Sequence, residues 1–242
     1  MRISSESELY TIVTSAFEEF KRRLVHRNPQ YATIFGDELF PDEKSINSKK
    51  VYLIGESHVS IKPVMYAHEN LVLQITQETN RWLIFREGIY PKITEPAEHP
   101  TLFYFQELAR LLRIPYKEAL ANLHEQSTRH YIKEKSGINN EYIDTYLLCV
   151  RIVSEGGFPT SKEGFNAIIA RMSKFFRKPE EYILKLVMNV IVNPPDPTLF
   201  TQKIIEPWNE YSRIRFHEIL RQYADRDRFL VSVGRDHLPA FK

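Results

Sequence analysis

Three short apolar runs, each stopping abruptly at a glycine or a charged pair, constrain this chain more than anything else in it. Val51-Tyr-Leu-Ile54 stops at Gly55-Glu-Ser-His58, Trp82-Leu-Ile-Phe85 at Arg86-Glu-Gly88, and Phe229-Leu-Val-Ser-Val233 at Gly234-Arg-Asp-His237. Runs of this length, rich in β-branched and aromatic residues, read as buried strands, and a glycine lets the backbone turn sharply at the end of one. If the three strands are parallel neighbours, their carboxyl ends share one edge, where open α/β sheets place their ligand crevices. Glu56, His58, Glu87 and His237 then converge. Eight glycines and eight histidines in 242 residues would give roughly 0.3 Gly-x-x-His pairs by chance, and the chain has two, both at the tips of strand runs.

The elements between the runs fit the same plan. Residues 5–27 carry Leu9, Ile12, Val13, Phe17, Phe20 and Leu24 on one helical stripe, with Ser5 and Glu8 at capping-box spacing. Residues 28–50 read as a connection pinned by Tyr31, Phe35, Leu39 and Phe40. From Ile61 to Asn80 there is no glycine, and Pro63 suits a first helical turn, so residues 51–87 form a βαβ unit with a right-handed crossover. Its helix start faces the crevice and offers backbone amides to an anion. His68 falls mid-helix as a surface or core-edge histidine. The proline-punctuated stretch 89–100, which contains His99, is placed to rim the strand tips.

From Thr101 to Asn193 the pattern is helical, with segments expected at 102–112, 115–135, 141–153, 161–176 and 179–192. His124 and His130, six apart, do not share a helix face. Asn193-Pro-Pro-Asp-Pro197 reads as a stiff linker back to the body, followed by a helix that Pro207 kinks or restarts. Arg215 falls at the edge of that helix's apolar stripe and Arg213 well away from its centre. The expectation is therefore an α/β protein with a small, mainly parallel sheet flanked by helices and a large helical insertion or cap. The body comprises residues 1–100 and 198–242, and the helical block residues 101–197.

Composition narrows the class. A net charge of +2 with 33 basic and 31 acidic residues carries no nucleic-acid footprint. The one cysteine, Cys149, rules out an internal disulfide and a cysteine-based zinc site, and its apolar surroundings suit an inert thiol. No stretch approaches the ~20 apolar residues of a membrane span, and Met1-Arg-Ile-Ser-Ser-Glu lacks a signal-peptide core, so a soluble cytoplasmic chain is expected. No pattern fixes the oligomeric state.

Gly55-Glu-Ser-His58 after a first strand, Glu87 after a second, an arginine on a late helix and Val233-Gly-Arg-Asp-His-Leu238 after a final strand resemble one superfamily. It groups the Tiki and TraB proteins, the haem-associated ChaN-like proteins and the erythromycin esterases. The resemblance covers residues 50–90 and 205–240 and leaves out the helical block. It implies that Glu56, His58, Glu87, Arg215 and His237 line the site, with Arg213 as an alternative to Arg215. Asp236 departs from the small residue often found there and can orient a ligand or serve as a further one.

Residue chemistry leads the same way. Two histidines with one or two carboxylates can hold a divalent metal (Mn, Zn, Co or Fe) with an open position for water, which becomes a nucleophile near neutral pH. His58, His237, Glu56 and Glu87 are the candidate ligands, with one glutamate free to act as base and Arg215 to stabilise an oxyanion. A metal-free histidine–glutamate pair that activates water directly is the second scheme. Gly-Glu-Ser-His-Val lacks the closing glycine of a serine nucleophile elbow. The expected function is hydrolysis of an ester or amide in a small-molecule or peptide substrate. The alternatives are a haem- or small-ligand-binding protein of the ChaN-like type, and an interaction or effector domain with a residual site.

Overall fold

The computed structural model describes residues 6–27, 40–46, 48–56, 61–88, 100–154, 157 and 161–241. Its elements run α1 (Glu6–Arg27), β1 (Phe40–Ile46), β2 (Lys49–Glu56), α2 (Lys62–Asn70), α3 (Val72–Gln77), β3 (Trp82–Arg86), α4 (Pro100–Leu112) and β4 (Tyr116–Glu118). There follow α5 (Gln126–Ser136), α6 (Asn140–Ser154), α7 (Lys162–Phe176), α8 (Glu180–Val192), α9 (Pro197–Phe200), α10 (Glu206–Gln222) and β5 (Arg228–Gly234). A 3-10 segment, Arg235–Phe241, closes the described chain.

The protein is α/β. One five-stranded sheet has the order β1-β2-β5-β3-β4, antiparallel only at β1. The three apolar runs are its three central strands, and β5, last in sequence, lies between β2 and β3. Alternation decides which side chain goes to which face. Tyr52, Ile54, Trp82, Ile84 and Leu230 face one core with Val13, Phe17, Val64, Ile75 and Phe105 from the first four helices. The opposite parity carries Phe85, 5.0 Å from Phe216 of α10, and Phe216 in turn meets Phe241 edge-on at 4.9 Å. A sheet covered on both sides explains why its strands read as continuous apolar runs.

Four expectations from the sequence are corrected. The stretch before Lys50 is no mere connection. Residues 40–46 form an edge strand that turns into β2 through Ser48, whose φ is 64°. Its alternating intermediate and exposed residues, with Pro41 and four charged or polar positions, are what an unpaired sheet edge tolerates. The single helix expected over 61–80 is broken at Leu71 into α2 and α3 and ends in a 3-10 turn, Thr79–Arg81. The helix expected over 115–135 begins only at Gln126. Residues 116–118 instead pair with β3, because the open edge of β3 offers hydrogen bonds that local propensity does not. Finally, α4 packs in the core of the sheet rather than with the later helices, burying Leu102, Phe105 and Leu108 beside Val64 and Trp82.

Two compact units result: Met1–Asn122 with Ser212–Lys242, and Leu123–Tyr211. The sheet lies wholly in the first. In the second, Pro207 leaves a mark upstream: lacking an N–H and crowding the preceding turn, it follows a five-residue π-helical stretch, Thr201–Ile205, at the start of α10. No helix among the described residues is long and apolar enough to cross a membrane.

At the amino end of the sheet, charges tie β5 to β3. Arg81 Nε donates to Asp227 Oδ1 at 2.9 Å, Arg226 Nη1 to the Trp82 carbonyl at 2.6 Å, and Arg228 pairs with Glu78 at 2.6 Å. The Arg81 hydrogen bond holds the Asp227 carboxyl below its ordinary range. A depressed carboxyl contributes stability above its unfolded pKa and loses it as pH falls through the folded one. We therefore expect Asp227→Asn to be less stable than wild type at neutral pH and to converge on it only as pH falls below the ordinary aspartate range. Urea titrations across pH 2–7 check this, and a constant gap would refute it.

Candidate functional site at the carboxyl edge of the sheet

Glu87 follows β3 directly and is 8% exposed, so its carboxylate must find partners within the fold. One is the backbone of β5: the Gly234 N–H donates to Glu87 Oε2 at 3.1 Å. Another is His237, whose Nε2 lies 3.8 Å from Glu87 Oε1. That separation exceeds a hydrogen bond. His237 is itself 7% exposed, held by the 3-10 segment whose Leu238, Ala240 and Phe241 are buried.

Gly234 is the floor of this arrangement. A Cβ there would stand 3.5 and 3.6 Å from the two Glu87 oxygens and 3.7 Å from His237 Cδ2. Anything branched would push carboxylate and imidazole away. On its other side Gly234 pairs in register with Glu56 of β2, so both glutamates flank the same glycine from neighbouring strands. The backbone of Glu56 thus stands where the sequence places it. Its side chain, the whole of His58, and the side chain of Asp236 lie outside the described residues, as does His99.

The carbonyl of Glu87 is fixed as well. Past β4 the chain continues alongside it, with Ala119 N–H donating to the Arg86 carbonyl at 2.7 Å and Leu120 N–H to the Glu87 carbonyl at 3.0 Å. The fully buried Ser212 of α10 anchors this stretch by accepting from Ala121 N–H at 3.0 Å. Gly88 has φ +118° and the Leu120 carbonyl oxygen 3.4 Å from where its Cβ would be, so only glycine suits the turn that follows Glu87. Arg86, at the end of β3, pairs with Glu118 at the end of β4 at 2.6 Å. Gly88 stood out in the sequence as the stop of the second run, but neither Ser212 nor the pairing of Arg86 with Glu118 did. The Glu-Gly step after the strand was the one available sign of a constrained turn.

The arginine implied by the resemblance behaves differently. Arg215 is in a partly exposed pair with Glu218 at 3.7 Å, and Arg213 is exposed. Among the other histidines, His68 stacks on Phe17 at 3.9 Å, a core-edge position, while His130 pairs with Glu134 at 3.2 Å on an exposed helix face. Burial raises the Cys149 thiol above its ordinary pKa, which disfavours a thiolate.

Among the described residues no group of three or more histidine, cysteine, aspartate or glutamate side chains is placed to hold a metal ion. Glu87 Oε1 and His237 Nε2, 3.8 Å apart, are wider than the roughly 3.3–3.6 Å between tetrahedral ligands bonded at ~2.0–2.2 Å, and the Gly234 N–H holds the other carboxylate oxygen. Two described donors do not by themselves make a metal site. No family model matches the chain, and no curated protein or solved structure matches it.

Proposed function

We propose that the chain is a hydrolase of an ester or amide bond, metal-assisted, with its centre at the carboxyl ends of β2, β5 and β3. The reading rests on one observation above all: a buried glutamate and a buried histidine are held facing each other across a glycine at the sheet edge, where this architecture gathers function. The superfamily resemblance supports it, and would add the Glu56 and His58 side chains as further ligands.

In this reading His237, Glu87 and His58 would hold the ion, with Glu56 as a further ligand or as the base. A divalent ion held there would supply a bound water of lowered pKa and would polarise the scissile carbonyl. The protein's own residues do the rest. The Gly234 N–H keeps one Glu87 oxygen engaged and leaves the other facing His237. With His237 Nε2 given to the ion, the proton would pass through the glutamate left as base, Glu56, as the leaving group departs. Burial of both groups keeps competing water out and strengthens every charge interaction between them.

Elemental analysis of the purified full chain, after separate supply of manganese, zinc, cobalt and iron, tests this. Near-stoichiometric metal in wild type, lost in both His58→Ala and His237→Ala with the fold retained, is the expected result, followed by turnover in an ester and peptide screen. Folded protein that takes up none of the four ions would sink the metal-assisted scheme. A Soret band on adding haem, lost in His58→Ala, would favour the ligand-binding alternative.

A further inference from the structure

We propose that β1 is a docking edge for a second copy of this chain, which adds its own β1 antiparallel about a two-fold axis through Glu43. β1 is the outermost strand on its side of the sheet, so one row of its backbone groups has no strand beside it. Residues opposite each other on antiparallel strands either exchange both backbone hydrogen bonds or exchange neither. Pro41 has no N–H to give to β2, and a proline within a sheet sits where that side of the strand faces outward. Pro41, Glu43 and Ser45 therefore present their backbone to the open side, and the residues between them bond to β2.

Charge selects the partner and the register. Pairing about Glu43 sets Asp42 opposite the partner's Lys44, Lys44 opposite the partner's Asp42, and Phe40 opposite the partner's Ile46. Opposite charges facing each other across strands stabilise the pair, and like charges weaken it. The nearest registers that keep the same backbone groups in contact move the axis to Asp42 or to Lys44, setting Asp42 against Asp42 or Lys44 against Lys44. In-register parallel pairing produces both clashes at once. An edge whose charges repel an arbitrary strand thus accepts its own copy in one register.

The side chains are placed for this. Asp42 and Lys44 share one face of β1, are 43% and 30% exposed, and stand 3.5 Å apart within one chain, long for a hydrogen bond, so each can turn to a partner. The two Glu43 carboxylates meet at the axis, each already neutralised by Lys50 Nζ at 3.1 Å. Antiparallel joining puts the carboxyl edges of the two sheets on opposite margins, so each Glu87–His237 centre belongs to one chain, and the proposal stands apart from the hydrolase reading.

Sedimentation equilibrium on the full chain tests it. Wild type should be mostly dimeric at about 100 μM. Asp42→Lys and Lys44→Asp each turn attractive cross-strand pairs into repulsive ones and should raise the dissociation constant about tenfold or more. Circular dichroism should not change, because the pair within the chain is part-exposed and contributes little to the fold. The double exchange, Asp42→Lys with Lys44→Asp, should return the constant to within about threefold of wild type. An equal mixture of the two single variants should form a heterodimer, since each then carries the charge that the other needs. Should a single variant fail to fold, short contacts between the α-protons of Asp42 and of the partner's Lys44, sought by NMR in mixed-label wild type, decide the location. Monomeric wild type at that concentration, single exchanges that leave dissociation unchanged, a double exchange as weak as the singles, or absence of those α-proton contacts would each overturn the proposal.

Discussion

Asp144→Ala is expected to destabilise the unit Leu123–Tyr211 by about 3–5 kcal/mol, the usual penalty for stranding one member of a buried ion pair. The Asp144 side chain on α6 is 3% exposed and the Arg129 side chain on α5 is 16% exposed, their charged atoms 2.7 Å apart. The contact lacks hydrogen-bond alignment at Asp144 Oδ1, so it is chiefly Coulombic. Oδ2 accepts a 2.7 Å hydrogen bond from the Tyr182 hydroxyl of α8, and Arg129 Nε donates to the Leu123 carbonyl at 2.7 Å. One carboxylate therefore ties three helices together. Removing it leaves a guanidinium and a phenol without their shared acceptor in a largely buried place.

Chemical denaturation followed by helical circular dichroism measures the loss. Arg129→Met combined with Asp144→Leu separates the pair's charge from its volume. Replacing both members by apolar groups should recover much of what the single change loses, and a double variant as unstable as Asp144→Ala would refute the buried-charge account. Tyr182 adds a pH signature. Burial, reinforced by the hydrogen bond to Asp144, raises its phenol above the ordinary value. A raised folded pKa gives stability that is complete below the unfolded pKa of about 10 and declines as pH climbs beyond it. Tyr182→Phe should flatten that decline.

What the sequence made legible follows from how each feature is stabilised. The three central strands were readable because both their faces are buried, so Val51–Ile54, Trp82–Phe85 and, apart from Ser232, Phe229–Val233 had to be apolar. β1 and β4 were not, because edge positions are met by backbone pairing and leave side chains free to be polar. Pro41-Asp-Glu-Lys-Ser45 and Tyr116-Lys-Glu118 carry no strand pattern. The assignment of α4 failed for a related reason: a helix rich in Phe and Leu reads the same whether it packs on a sheet or on other helices. At the site, Glu87 and His237 were visible from their places after strands. The groups that hold them were not, since the Gly234 N–H, the Leu120 N–H and the Ser212 hydroxyl act through backbone contacts that residue types do not encode.

Glu87 is where structure and proposed chemistry can be separated by two substitutions. Glu87→Ala strands the Gly234 N–H, and a buried donor left without an acceptor costs about 1–3 kcal/mol. Glu87→Gln keeps a carbonyl oxygen that can accept from Gly234 at the same 3.1 Å, so its stability should stay close to wild type. The amide nevertheless carries no charge and has no proton-accepting role. If Glu87 is a metal ligand or general base, Glu87→Gln should lower hydrolytic turnover by about 10²–10⁴ without a matching fall in melting temperature. A variant that is stable and fully active would leave Glu87 as a strut for the β5 tip, and would move the chemistry to the Glu56 side of Gly234. A variant as unstable as Glu87→Ala would mean that the negative charge itself, facing His237 at 3.8 Å, holds the strand tips together.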